Sequence, residues 1–294
     1  MSASAVLAQR NQAILLAILA IFCFSLMDAS VKALTARVGV LPALWVRYAG
    51  QMALVLILVA PRLSEVVRTR HPVLQVARSI MLMCATGFFF TSLAFIPLTD
   101  AAALMSTNPV LITLGAALFL GERLGIRRVA GIGAALVGAM IVIRPGSEVF
   151  SLPAILPLIA ATCYSGYVLL TRRVGADEDV WTSLFYTGLV GTVILSVLVP
   201  FAWQTPDLVS LGLMALIACA GTLGQLALIR AFTQGEAAML APYSYTGLIF
   251  AAFWGFMLFS EVPDLWTVVG TLVIASAGIY VWYRETFVRS ASGA

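Results

Sequence analysis

Charge is scarce in this chain. Only 10% of its 294 residues are Asp, Glu, Lys or Arg, while 62% are hydrophobic and the mean hydropathy is +1.03. Soluble globular proteins carry about 25% charged residues, so a soluble globular fold is excluded. Histidine occurs once, as His71, and lysine once, as Lys32. With His71 beside Pro72 in a loop, no Ser-His-Asp set can be assembled within the membrane, and no HExxH pattern exists. The lysine lies in Asp28-Ala-Ser-Val-Lys32, without the glycine frame of a P-loop. Nucleotide hydrolysis by the chain itself is therefore excluded, and the chain does not read as an enzyme. The cysteines, Cys23, Cys84, Cys163 and Cys219, each sit inside an apolar run and none is near another. Metal-ligand and redox spacings are absent, and no cofactor or metal is expected. The net charge of +4 comes from basic residues scattered in short loops. They read as topology signals rather than as a nucleic-acid surface.

Apolar sequence is what the chain has in quantity. A membrane-spanning helix needs about 20 mostly apolar residues. Ten such runs are predicted, at 13–34, 42–60, 75–96, 100–120, 127–143, 152–170, 180–202, 208–230, 237–259 and 265–283. The third and fourth nearly fuse and are separated at Pro97-Leu98-Thr99-Asp100, where proline and an acid mark a boundary. The run after Arg10 is too long for the apolar core of a signal peptide and reads as the first span. With a cytoplasmic N-terminus, Arg10, Arg62, Arg68, Arg70, Arg78, Arg123, Arg127, Arg128, Arg172, Arg173, Arg230, Arg284 and Arg289 fall inside. Lys32, Arg37, Arg47 and Arg144 fall outside. This bias predicts an even number of spans with both termini cytoplasmic.

The chain also repeats itself. Glu236-Ala-Ala-Met-Leu echoes Asp100-Ala-Ala-Ala-Leu, and Phe259-Ser260-Glu261 matches Leu120-Gly121-Glu122. Gly270 follows Glu261 at the distance at which Gly131 follows Glu122. Cys163-Tyr164-Ser165 matches Cys23-Phe24-Ser25. The repeat divides the chain into two five-span domains, 13–144 and 152–284. An odd number of spans per half means that the second enters the membrane from the opposite side. The predicted fold is an all-α polytopic membrane protein of ten helices in two inverted five-helix repeats. Many secondary transporters build alternating access on that plan, around a site at the membrane midplane.

The two glutamate motifs, LFLGERLGIRRVAGIGAALVG and MLFSEVPDLWTVVGTLVIASAG, carry a resemblance. With Asp28-Ala-Ser-Val-Lys32 in the first span and Arg47 in the second, the chain resembles the ten-helix EamA type of the drug/metabolite transporter superfamily. The resemblance covers essentially the whole chain. It implies a bacterial inner-membrane carrier for small organic molecules, with a central cavity between the halves. It is specific for fold and poor for substrate. The superfamily includes amino-acid exporters and uptake systems for S-adenosylmethionine and riboflavin. APYSYTGLIFA with SEVPDLWTVVG is most similar to the subgroup of uptake carriers.

Ionisable groups within spans are costly unless paired or wetted, and so mark candidate sites. Asp28 and Lys32 are four apart on one helix face with Ser25, and are expected either to neutralise each other or to meet a polar substrate or a proton. Arg47 suits bidentate contact with a carboxylate or phosphate, pairing with Asp28, or snorkelling outward. Glu122 and Glu261 sit at helix ends, placed to cap the next helix or close a gate. Asn108, Tyr164, Gln225, Tyr243, Tyr245 and Trp254, with Tyr167, supply amide and aromatic groups for a flat, partly apolar ligand. Pro109 and Pro242 are candidate hinges. Gly115, Gly131, Gly133, Gly138, Gly247, Gly255, Gly270 and Gly278 are expected where helices approach closely. The expected function is a secondary carrier of a zwitterionic or aromatic heterocyclic metabolite, with proton coupling through Asp28. Export of amino acids or drugs on the same fold stays open. A membrane interaction protein, whose buried polar groups only staple helices, is the rival class.

Overall fold

The computed structural model describes residues 3–120, 126–145, 151–174, 178–234 and 240–283. Among them all regular structure is helical. In chain order the helices are α1 (Ala3–Val38), α2 (Val40–Val59), the short α3 (Leu63–Val66), α4 (Pro72–Leu93), α5 (Leu98–Met105), α6 (Asn108–Leu120), α7 (Ile126–Ile143), α8 (Leu156–Val174), α9 (Val180–Leu198), α10 (Leu208–Gln234), α11 (Thr246–Phe259) and α12 (Leu265–Tyr283). Among the described residues seven stretches are long and apolar enough to cross a bilayer, and Val129–Ile143 and Tyr243–Phe259 are shorter apolar helices. Within the described residues each of the ten predicted spans coincides with a helix or a consecutive pair.

The pair is the fourth span, which is broken between α5 and α6. Pro109 has no N–H to return to the preceding turn, so the ladder stops at Ser106 and Thr107. The Thr107 hydroxyl donates to the Leu104 carbonyl at 2.8 Å, and the Val110 and Leu111 amides restart the ladder on the Thr107 carbonyl. Backbone groups freed at membrane depth are thereby satisfied within the protein. The ninth span opens in a related way, as a 3-10 turn over Ala241–Tyr245 with Pro242 at its second residue. Between α1 and α2 only Gly39 intervenes, at φ 83°. Any side chain there would be strained by the backbone angle rather than by crowding, since a Cβ would have open space.

The packing repeats under exchange of each span with the one five later. That exchange swaps α1 with α8, α2 with α9, α4 with α10, α5–α6 with α11, and α7 with α12. The packing of α1 on α10 is mirrored by α8 on α4, that of α2 on α10 by α9 on α4, and that of α1 on α11 by α8 on α5 and α6. The pairs α2–α9, α7–α12 and α5–α11 map onto themselves. Five is odd, so the exchange reverses helix direction, and the relating axis lies in the membrane plane. The repeat is inverted, as the sequence predicts.

The polarity of the bundle is that of a membrane protein. Its surface carries Ile57, Leu118, Phe201 and Leu208, each more than two-thirds exposed, while Gln51, Gln75, Arg47 and Arg78 are buried. Small residues set the helix spacing. A Cβ on Gly270 would lie 2.7 Å from the Gly138 carbonyl oxygen, and one on Gly138 would lie 2.9 Å from the Gly270 carbonyl oxygen, so α7 and α12 meet backbone to backbone. Gly133 departs from the expectation: a Cβ there would meet nothing within 4 Å, because its face points away from neighbouring helices. An apolar groove of about 610 Å³ runs between α7 and α12, walled by Ala130, Ala134, Leu272, Val273 and Tyr280. It has no charged lining.

Candidate functional site

The corner between α4 and α5 explains the lone lysine. There Pro97 stops the backbone ladder, leaving the Ile96 carbonyl and the Leu98 amide without helical partners. Lys32 of α1 donates to the Ile96 carbonyl at 2.6 Å. Glu261, beyond the end of α11, accepts from the Leu98 amide at 2.8 Å. The two side chains then pair with each other at 2.6 Å, with the ammonium 5.4 Å from the centre of the Phe259 ring. Leu98 is the first residue of α5, so the Glu261 carboxylate caps a helix N-terminus in the opposite half of the protein. The Asp28–Lys32 pair expected from spacing does not form: Lys32 faces the α4–α5 corner and the far half. Nor does Glu261 cap the helix that follows it. That role falls to Asp264, which accepts from the Thr267 amide at 2.8 Å.

Further ties lie at the same end of the bundle. Arg37 pairs with Asp207 at 2.9 Å, and Arg144 pairs with Asp264. The Thr267 hydroxyl donates to Asp100 at 3.0 Å. Every one of these contacts joins the first half to the second where α1 finishes. Hydrogen bonds from Ser210, with the Arg37 charge adding to them, hold Asp207 below the usual carboxylate range. Burial works against Asp264, but hydrogen bonds from Thr267 and Arg144 hold it below that range as well.

Deeper in the bundle, polar groups form a seam between α1, α2, α4, α8 and α9. Asp28 lies within electrostatic reach of Arg47. Arg47 donates to Gln51 at 3.3 Å, and its guanidinium lies 5.2 Å from the centre of the Tyr48 ring. Tyr164 lies within electrostatic reach of Arg47 and stacks at a tilt on Tyr167, ring centres 5.7 Å apart. The Arg78 guanidinium lies 5.2 Å from the centre of the Tyr167 ring. Arg78 donates to Gln75 at 2.9 Å and reaches the Ser183 carbonyl and Thr187 hydroxyl at 3.4 Å each. The Ser25 hydroxyl, one helical turn before Asp28, is buried without a partner.

The structure brings Asp28, Arg47, Tyr164 and Tyr167 together, and adds residues not expected from the sequence. Arg78 counted among the cytoplasmic flanking residues, but it is 2% exposed inside α4. Its place near the start of an apolar run made it look like a flanking residue, and no local feature of the sequence marked it as buried. Other expected residues stand elsewhere. Trp254 packs with Phe22 and Phe253 at ring distances of 5.7 and 4.9 Å. The Tyr245 hydroxyl abuts Gly278 of α12. Tyr243 is half-buried in the 3-10 turn, where its carbonyl accepts from Thr246 at 2.7 Å. Gln225 is half-buried on α10, and Pro109 is half-buried at the start of α6. The Asn108 carbonyl lies 3.3 Å from the Ser165 hydroxyl. Glu122 lies outside the described residues, as does the side chain of Pro242. Among the described residues no group of His, Cys, Asp and Glu is placed to hold a metal.

The same architecture occurs in a crystal structure that superposes with a TM-score of 0.66 at 17% identity, over 97% of this chain and 99% of the other. Among curated relatives, the pseudopaline exporter CntI of Pseudomonas aeruginosa is 32% identical over 271 residues, 90% of this chain and 94% of its own. An S-adenosylmethionine uptake transporter of Rickettsia bellii is 25% identical over 76% of each chain. A riboflavin transporter of Rhizobium johnstonii is 28% identical over 74% of this chain and 72% of its own. The model of the EamA-like transporter family matches twice, over residues 11–144 and 151–283. With both halves of an inverted repeat matched in this way, the chain belongs to the EamA-like transporter family.

Proposed function

We propose that the protein is a secondary carrier that moves a small organic metabolite across the bacterial cytoplasmic membrane by alternating access. The observation that carries the reading is the Lys32–Glu261 clamp. It ties the halves where α1 finishes and uses backbone groups that the α4–α5 corner exposes, while Thr69 with Glu178 and Tyr186 with the Val67 carbonyl join them at the opposite end. Helices broken beside Pro109 and Pro242 supply joints at which the halves can rock. The arginine bias supports cytoplasmic termini and an outward-facing clamped end. In this arrangement the outer entrance is closed, and opening it requires the clamp to part.

Asp28, Arg47 and the tyrosine pair support a substrate with both charged and flat apolar parts. The carboxylate would meet an amine or a proton, the guanidinium a carboxylate, and the rings a planar or aliphatic body. Proton coupling rests on Asp28, a carboxylate in mid-span beside an arginine. The test is a thermal-shift screen of the detergent-purified protein against zwitterionic and aromatic heterocyclic metabolites. A ligand that binds the folded state must raise the melting temperature. A selective shift that disappears in Arg47→Ala supports the reading. Failure of every class to bind, with no transport in vesicles, would favour a membrane interaction protein.

A further inference from the structure

The buried seam holds two arginines and one carboxylate. Arg47 is 8% exposed and Arg78 2%. Among the described residues no carboxylate comes within ion-pair distance of either guanidinium. Asp28 is close enough to Arg47 for its charge to be felt, but Arg78 has only neutral acceptors, two of them at 3.4 Å. The Nε atoms of both arginines are buried and have no hydrogen-bond partner. A charged group in a low-dielectric interior is normally paired and fully hydrogen-bonded, since leaving it otherwise is costly. Each guanidinium also lies over a tyrosine face, which favours a cation without neutralising it.

We propose that the missing counter-charge arrives with the substrate, and that Arg47 and Arg78 are two anion-binding stations separated by the Tyr164–Tyr167 pair. This deepens the carrier reading and rests on it. The complement of two guanidiniums and one carboxylate is a molecule with two carboxylates and one amine, net negative. Its backbone would lie along the tyrosine rings. The two arginines also stand at different depths: Arg47 is seven residues from the clamped-end start of α2, and Arg78 six residues from the opposite-end start of α4. An anionic group leaving one station therefore has a second on the way to the other face. The unpartnered Nε edges are where a carboxylate would form charge-assisted hydrogen bonds.

The test compares ligands that differ only in charge. L-Glutamate, with two carboxylates and an amine, is set against L-glutamine, and N-benzyl-L-glutamate against N-benzyl-L-glutamine, by thermal shift and by flux from vesicles containing the purified protein. The acid of each pair is expected to bind more tightly. In Arg78→Gln its affinity should fall by about 10- to 100-fold, the loss of charge-assisted hydrogen bonds. The amide's affinity should be unchanged, and Arg78→Lys should restore part of the preference. Arg62→Gln, at an exposed site, should match the parent. If Arg78→Gln does not fold, Arg47→Gln reads the other station, where the acid and the amide should lose affinity together because both keep the α-carboxylate. Amides binding as well as acids, a preference unchanged in Arg78→Gln, or affinities unchanged in Arg47→Gln, would overturn the anion stations. Flux of neutral or cationic metabolites without acids would overturn them too while leaving the carrier reading intact. Vesicles that pass no metabolite of any charge would overturn the carrier reading itself.

Discussion

Replacing Glu261 by Gln tests the clamp. The substitution removes the ion pair to Lys32 and leaves a neutral acceptor for the Leu98 amide. Losing one partner of a buried pair costs about 3–5 kcal/mol, and of an exposed pair about 0–1 kcal/mol. The two side chains are 15% and 18% exposed at the end of the bundle, so about 2 kcal/mol is the expected loss, between those limits. If the open arrangement does not use the pair, its population rises by about 30-fold. The assay is labelling of Thr99→Cys by a membrane-impermeant maleimide in a background with Cys23, Cys84, Cys163 and Cys219 replaced by serine. Thr99 is 5% exposed beside Gly255 and the Glu261 carboxylate, and is covered while the clamp holds. Glu261→Gln should speed labelling by about 10- to 30-fold. The charge swap, Lys32→Glu with Glu261→Lys, separates this mechanism from a simple ion pair. The swap restores the pair but turns an acceptor toward the Ile96 carbonyl and a donor toward the Leu98 amide, so it should not restore slow labelling. Parent-like labelling in Glu261→Gln, or full rescue by the swap, would refute the reasoning.

Other outcomes follow from the same geometry. Gly270→Ala should destabilise the detergent-solubilised protein by about 1–3 kcal/mol, because its methyl meets the Gly138 backbone, whereas Gly133→Ala should leave the melting temperature unchanged. Asp207 is held below its ordinary value of 3.8, so its stabilising contribution is fully present above that value and is lost as pH falls through the lowered one. Melting curves from about pH 5 to about pH 3 should fall less steeply in Asp207→Asn than in the parent. If a proton passes through Asp28, Asp28→Asn should abolish the pH dependence of flux. Flux that keeps both its rate and its pH dependence would remove Asp28 from the coupling step.

Much of the fold was legible because the membrane imposes a length and a composition on every span. The inverted repeat showed through ordered matches such as Glu122 with Glu261 and Gly131 with Gly270, which periodicity alone does not produce. The helix break near Pro109 was likewise readable, since proline has no N–H to give. The clamp was not. Spacing placed Asp28 and Lys32 on one face, but Lys32 answers to a carbonyl 64 residues away and to a carboxylate in the other half. Only folding creates that demand, because the Ile96 carbonyl and the Leu98 amide are orphaned by the α4–α5 corner. Arg78 was hidden by a counting rule. Arginines near span ends report topology when they reach the interface, and nothing local distinguishes one that turns inward against Tyr167. Tyr245 shows the converse: a polar aromatic beside a proline marks a candidate site, yet here its hydroxyl abuts a glycine on α12.

The most direct measurement of the carrier reading is flux without a chosen ligand. Vesicles containing the purified protein are loaded with a bacterial metabolite extract, and the compounds that leave are identified by mass spectrometry against protein-free vesicles. Loss of a small set of acidic, amine-bearing metabolites, slowed in Arg78→Gln and altered in Glu261→Gln, is the expected result. Identical profiles with and without correctly folded protein would contradict a carrier function.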